Sequence, residues 1–283
     1  MNIGIDIRGI NSLGGIPEYI RSLVKNLNYR GDVNFHFFSD EKMENDNLIF
    51  LRNLLPNRFF ELRSFVWDNI SLATSIRKNG IDLFHSTRWC TTRIISSKLV
   101  STVHDLSYLR TPQELTPKVY NFFKNFVIPS YIQSDHIIAI SDSTKKDVIN
   151  LIGIPEEKIS VVHYGCEIKT NKKAIPLEME NLGLVKNDFI LFVGNLVPRK
   201  NIPNLIEAFK IITKEHNIKL VLAGSKDWGY PAIQQKINEL DLKKEVVMLG
   251  RVTREELNWL YPKAKLLVFP SFYEGFGLPL VEA

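Results

Sequence analysis

Two glutamates with seven residues between them, Glu274 and Glu282, bracket the run Gly275-Phe276-Gly277-Leu278-Pro279 near the end of the 283-residue chain. Glycines at 275 and 277 free the backbone to turn its N–H groups toward phosphate or sugar oxygens. Pro279 is well placed in the first turn of a helix. A carboxylate one turn further along, at Glu282, can accept from both hydroxyls of a vicinal diol such as ribose. A second passage upstream, Phe189-Ile-Leu-Phe-Val-Gly194-Asn-Leu-Val-Pro-Arg199-Lys200-Asn-Ile202, runs strand, loop, helix. It delivers two cations beside the free N–H groups of a helix start, a combination that suits a diphosphate. Each passage on its own also has a plain reading: a βα loop with a capping glutamate, or a solvated Arg-Lys turn.

The first half offers thinner signals. Ser101-Thr-Val-His104-Asp-Leu-Ser-Tyr108 puts His104 at the end of an expected strand, where a histidine is as often a structural hydrogen-bonder as a functional one. Gly14-Gly15 follows the first expected strand, and two glycines alone mark no more than a tight turn. Phe84-His85-Ser86 and Ala139-Ile140-Ser141 also end expected strands.

These residues need a frame that holds loop ends together, and the hydrophobic pattern supplies one. Short apolar, β-branched runs at Asn2–Ile7, Val33–Phe38, Asp82–His85, Leu99–His104, His136–Ile140 and Ile159–His163 predict strands. Amphipathic stretches at Ile16–Asn28, Phe65–Lys78, Pro117–Gln133 and Ser143–Asn150 predict helices between them, the last capped within Ser141-Asp142-Ser143. Lys169–Lys186 loses the alternation and turns polar. A second series then starts: strands at Asp188–Val193, Lys219–Ala223, Glu245–Leu249 and Lys265–Phe269, with helices from about Asn201, near Thr253–Tyr261 and after Gly277. Strands alternating with helices predict parallel sheets covered by helices. The expected organisation is α/β: a Rossmann-like domain over 1–168, a linker over 169–187, and a second Rossmann-like domain over 188–283. The second is expected to be incomplete, because the apolar Leu278, Leu280 and Val281 would be short of partners.

Composition narrows the function classes. A 45% hydrophobic, 24% charged chain is globular rather than disordered. A net charge of +5 suits anionic partners without choosing among them. No groove-reading motif or interleaved aromatic-basic sheet supports nucleic-acid binding. Two distant cysteines, Cys90 and Cys166, exclude a disulfide framework and lack zinc-ligand spacing. With no signal-peptide core and no run of about 20 apolar residues, the expected location is cytoplasmic, peripheral at most to the inner face of a membrane. The aromatic and basic residues of Lys118–Tyr131 suit either such a contact or ordinary core packing.

The Glu274/Glu282 pair around Gly-Phe-Gly-Leu-Pro closely resembles the donor-site signature of the retaining family 4 glycosyltransferases, and Gly194…Pro-Arg-Lys-Asn is similar to that family's diphosphate clamp. The resemblance extends over essentially the whole chain and is far more specific in the second half. It implies a GT-B fold, two Rossmann-like domains facing across a cleft, and transfer of a hexose from a GDP- or UDP-sugar to a glycan or lipid-linked acceptor. The wording of Pro-Arg-Lys-Asn and His-Asp-Leu-Ser-Tyr resembles mannosyltransferases of polysaccharide assembly, which favours mannose from GDP-mannose. By the same resemblance Arg199 and Lys200 neutralise the departing diphosphate, Glu282 holds the ribose and Glu274 lies by the transferred sugar. The Gly275, Phe276, Gly277 and Leu278 backbone donates to sugar and phosphate, Gly250–Val252 flank the base, and His104 sits over the donor sugar. It further implies retention at the anomeric carbon, no metal and no cofactor, the nucleotide-sugar being a substrate. Gly14 and Gly15 match the family's glycine loop, but Ile16-Pro17-Glu18-Tyr19 stands where Gly-Arg-Tyr is usual, trading backbone freedom for proline and reversing a charge. Two other readings stay open: another GT-B enzyme such as an epimerase, and a truncated non-catalytic nucleotide-sugar binder.

Overall fold

The computed structural model describes residues 1–27, 31–53, 55–56, 59–89, 96–166, 179, 182, 184 and 188–283. The chain divides into two units, Met1–Gly165 and Cys166–Ala283. Most of the expected linker, 169–187, lies outside the described residues. Met179 and Leu184, which are described, are buried in the core of the second unit.

The first unit is built on a seven-stranded sheet whose pairings are all parallel. Its strands are β1 (Asn2–Asp6), β2 (Asn34–Ser39), β3 (Leu48–Phe50), β4 (Leu83–Ser86), β5 (Lys98–Val103), β6 (His136–Ala139) and β7 (Ile159–Val161), in the order β3-β2-β1-β4-β5-β6-β7. Both faces are covered, and the period-two alternation of strand side chains divides them. Phe35 and Phe37 of β2 join Ile5 and Ile20 in one core, whereas Phe38 joins Trp67, Ile76 and Phe84 in another.

The helices expected in this unit are present with local detail that periodicity does not reveal. Pro117–Phe122, Phe123–Val127 and Ile128–Gln133 form one continuous helix whose middle segment widens to a π turn. Pro129 follows at once. It has no N–H to give the ladder and its ring crowds the carbonyl a turn back, so a widened turn is the local accommodation. Phe60–Lys78 has the same construction, its π segment spanning Trp67–Leu72 and burying Trp67, Asp68 and Leu72. Four aromatic residues of Lys118–Tyr131 serve the core: Phe122 and Tyr131 are buried, and Phe123 and Phe126 pack against the same cluster.

The second unit carries a four-stranded parallel sheet of β8 (Phe189–Val193), β9 (Lys219–Ala223), β10 (Val246–Gly250) and β11 (Leu266–Leu267), in the order β10-β9-β8-β11. All five residues of β8 are buried. Ile190 and Phe192 face the helix Ile202–Ile212, while Phe189, Leu191 and Val193 face Trp259 and Leu260 of the helix Arg254–Lys263. The helix Tyr230–Glu239, which the sequence reading did not mark, closes the first of these cores through Ile233 and Ile237. Both sheets reverse their winding beside the first strand, between β1 and β4 in one unit and between β8 and β11 in the other. In open α/β sheets the crevice outside the carboxyl ends at such a point is where ligands bind.

Candidate functional site

In the second unit, the loops leaving β8 and β11 meet at the switch point. Gly194 leaves β8 with φ 149, and a Cβ on Gly224 would lie 1.9 Å from the Gly194 carbonyl oxygen, so the β8 and β9 ends approach as only glycine allows. The chain then makes a tight turn at Pro198–Lys200, passes through left-handed Asn201 (φ 59) and enters the helix Ile202–Ile212. The loop after β11 is stitched to this turn. The Phe272 N–H donates to the Arg199 carbonyl at 2.9 Å, and Asn201 Nδ2 donates to the Pro270 carbonyl at 3.3 Å.

This stitching brings three of the expected site residues together. Arg199 Nη1 donates to Glu274 Oε1 at 3.1 Å and to the Tyr273 carbonyl at 3.2 Å. The Lys200 ammonium pairs with the same carboxylate oxygen and lies 4.6 Å from the centre of the Phe269 ring. Lys200 is buried, while Arg199 and Glu274 are each about a fifth exposed (20% and 22%). Two cations sharing one carboxylate leave a cluster of formal charge +1, with Lys200 buried and Arg199 and Glu274 both part-exposed. Gly275 and Gly277 are buried behind it, and Gly277 takes φ 89 to start the helix Leu278–Glu282. Phe276 and Leu278 are half-buried.

Glu282 sits apart from that trio. Its Oε2 accepts from the Tyr261 hydroxyl at 2.6 Å, its Oε1 pairs with Arg254, and its side chain is 7% exposed. Burial, followed by the Glu282 charge, pushes the Tyr261 phenol well above its ordinary range, so it remains a donor. Neither Arg254 nor Tyr261 was singled out from sequence. Their two-turn spacing on a predicted helix was visible, but their partner on another element was not.

In the first unit the same strand-end logic gathers a different set. His104 follows β5, with Nε2 2.7 Å from the Thr87 carbonyl and Nδ1 against the Tyr164 hydroxyl. Burial pushes its pKa down to about 4, so the ring is neutral at pH 7. The Thr87 carbonyl can only accept, so Nε2 carries the proton and Nδ1 accepts from Tyr164. His85 is likewise held at about 4, by burial and then by His104, and shares Thr102 Oγ1 with the Tyr19 hydroxyl at 2.8 and 3.1 Å. Both ring nitrogens of His104 are thus engaged within the unit.

The glycine loop is organised by the departure noted in its sequence. Glu18 pairs with Arg21 at 2.8 Å, and Arg21 Nη1 donates to the Ile10 and Ser12 carbonyls at 2.5 and 3.0 Å. The reversed charge therefore ties the loop to its helix. Gly14 takes φ 128 just before the helix Gly15–Asn26, and a Cβ on Gly15 would meet nothing within 4 Å. Sequence reasoning also passed over Arg8, whose guanidinium lies 3.8 Å from the Trp67 ring centre and pairs with Asp6 at 2.5 Å and Asp68 at 2.9 Å. Burial alone would lower its pKa, and the two carboxylates more than reverse that. The visible signal was Asp6-x-Arg8 directly after a first strand. Among the described residues no group of three or more His, Cys, Asp or Glu could hold a metal ion, and no helix is long and apolar enough to cross a membrane.

Comparison with known proteins follows the same division. Residues 13–169 match the family model Glycosyltransferase Family 4, and residues 175–283 match Glycosyl transferases group 1. The O-antigen chain mannosyltransferase RfbU of Salmonella typhimurium is 31% identical over 225 residues, covering 78% of this chain and 60% of that protein. The O-antigen chain mannosyltransferase B of Escherichia coli is 28% identical over 192 residues, covering 66% and 50%. The chain thus spans half to three fifths of the length of these curated relatives. Among solved structures, sucrose-phosphate synthase from Thermosynechococcus elongatus superposes with a TM-score of 0.70 at 18% identity. Anabaena HepE in complex with UDP and glucose superposes with a TM-score of 0.68 at 19% identity. Each covers 100% of this chain, which covers 78% of each, and at these identities the likeness speaks for the fold alone.

Proposed function

The chain belongs to glycosyltransferase family 4 and has the GT-B fold class, and from that premise we propose that it transfers a hexose from a nucleotide-sugar to a glycan or lipid-linked acceptor. The observation that carries this reading is the meeting of Arg199, Lys200 and Glu274 where β8 and β11 diverge. A departing nucleoside diphosphate develops charge at its bridging oxygen. Preorganised cations at a helix start can stabilise that charge without reorganising during the reaction. Arg199, the more exposed of the two cations, is the first to meet the phosphates. Glu274 holds both cations in place and lies by the transferred sugar, and Glu282 accepts from the ribose hydroxyls. The Gly275–Leu278 backbone lines the donor on the same side.

Mannose from GDP-mannose is the favoured donor, supported by the resemblance to mannosyltransferases named for O-antigen chains. The same reading has the reaction proceed with retention and without a metal or cofactor. His104, locked as a neutral ring, contributes shape and a fixed dipole near the sugar rather than a proton, which refines the role expected from sequence. In this reading Gly14 and Gly15 border the acceptor side, and the protein works in the cytoplasm, where a lipid-linked acceptor would present itself at the inner membrane face.

The test is a thermal-stability titration with GDP-mannose, UDP-glucose and UDP-N-acetylglucosamine, run beside an Arg199→Ala/Lys200→Ala double variant. A ligand at a hundred times its Kd stabilises the folded state by about 2.7 kcal/mol. The expected outcome is a shift with one donor that the double variant lacks. A cooperative melt that none of the three donors moves would overturn the reading.

A further inference from the structure

The carboxylate that the proposed function assigns to the ribose is itself held by two side chains with no role so far. Arg254 and Tyr261 stand seven positions apart on the helix Arg254–Lys263, two turns along one face. That helix is firmly set. Thr253 and Glu256 close a capping box at its start, with bonds of 2.6 and 3.2 Å, and Trp259 and Leu260 bury its inner side. Arg254 reaches Glu282 Oε1 and Tyr261 reaches Oε2, so each oxygen has one donor from the same element.

We infer that Arg254 and Tyr261 are positioning residues for ribose recognition: they orient the Glu282 carboxylate so that its remaining acceptor directions meet the 2′- and 3′-hydroxyls of a nucleoside diphosphate. This rests on the donor-site reading above. An ionised carboxylate offers about four acceptor directions on two oxygens. One donor on each oxygen stops the group from rotating about its terminal bond, and each carboxylate oxygen has acceptor capacity for a second donor. A diol has two donors at matched spacing. Without the two holders the carboxylate would still be charged, but it would have to be ordered at the moment of binding, at a cost in side-chain entropy.

The readout is discrimination between ribose and deoxyribose, which a merely structural contact does not move. GDP, 2′-deoxy-GDP, UDP and 2′-deoxy-UDP are titrated by calorimetry against the full chain and against Tyr261→Phe, Arg254→Met and Glu282→Gln. The wild-type chain should prefer the ribonucleotide by about ten- to a hundredfold, the worth of one hydrogen bond to a charged group. Tyr261→Phe, which keeps the ring and removes only the hydroxyl, should lower that ratio by about threefold or more, the 2′-deoxynucleotide, which keeps only the 3′-hydroxyl for Glu282, losing less affinity than the ribonucleotide. Arg254→Met should do the same. If Glu282→Gln collapses the ratio and both other variants keep it, the positioning inference fails and the ribose reading stands. If Glu282→Gln keeps the ratio, or no nucleotide binds, the ribose reading fails and takes the inference with it. Variants that melt earlier with the ratio intact would make Arg254 and Tyr261 anchors of the last helix only, which also overturns it.

Discussion

Glu274 illustrates how little a residue's type says about its task until its neighbours are known. Its single Oε1 atom accepts from Arg199 and Lys200 together. Glu274→Gln removes the charge and keeps the shape. It should lower turnover by about a hundredfold, the scale of losing one preorganised electrostatic partner, and full activity in a steady-state assay would remove Glu274 from the mechanism. The histidines make a second prediction. His85 and His104 are held at about 4, against an ordinary value of 6.5. A base with a depressed folded-state pKa binds more protons when unfolded. Its contribution is therefore present above pH 6.5 and lost as pH falls toward 4. Each histidine should account for at most about 3 kcal/mol of that loss. Urea unfolding of the wild type and His104→Gln between pH 7.5 and 4.5 checks this, the variant showing the shallower dependence.

At the scale of elements, the site depends on close approaches that no side chain permits. The β8 and β9 ends touch at Gly194 and Gly224, where a methyl group at 224 would overlap a carbonyl at 1.9 Å. Gly224→Ala should destabilise by about 3 kcal/mol or more, because the atom met is backbone and cannot swing aside. The loss should exceed that of Gly15→Ala, whose added methyl meets nothing within 4 Å. Chemical denaturation of the two variants side by side measures the difference, and equal losses would contradict the packing argument. The π turns before Pro129 and around Trp67 belong to this scale too. The second of them buries the adjacent Trp67 and Asp68, both of which engage Arg8.

For the whole molecule, two units with separate sheets lead to a prediction about where a nucleotide is felt. GDP at saturation should slow hydrogen exchange most in 194–201 and 269–282, the two loops that meet at the β8/β11 switch point, and least across β2 and β3. Protection confined to the seven-stranded sheet would place the nucleotide elsewhere. Much of this organisation was legible beforehand. The order of strands and helices follows from hydrophobic periodicity, because a strand's alternation and a helix's stripe are properties of a few consecutive residues, whereas the GT-B class was implied by the family resemblance of two motifs. The short β3 and the helix Tyr230–Glu239 escaped, since three residues and a weak stripe rise little above the background. The sequence by itself determined which residues carry charge and hydroxyls, and that Arg199, Lys200 and Glu274 lie on loops after strands with Glu282 on the helix that follows. Only the tertiary structure decided their partners: Glu274 with both cations, Glu282 with Arg254 and Tyr261, and His104 with both nitrogens engaged. Each of these contacts joins residues between 17 and 75 positions apart. They become neighbours because parallel sheets bring the carboxyl ends of different strands together, a proximity set by strand order that no local pattern encodes.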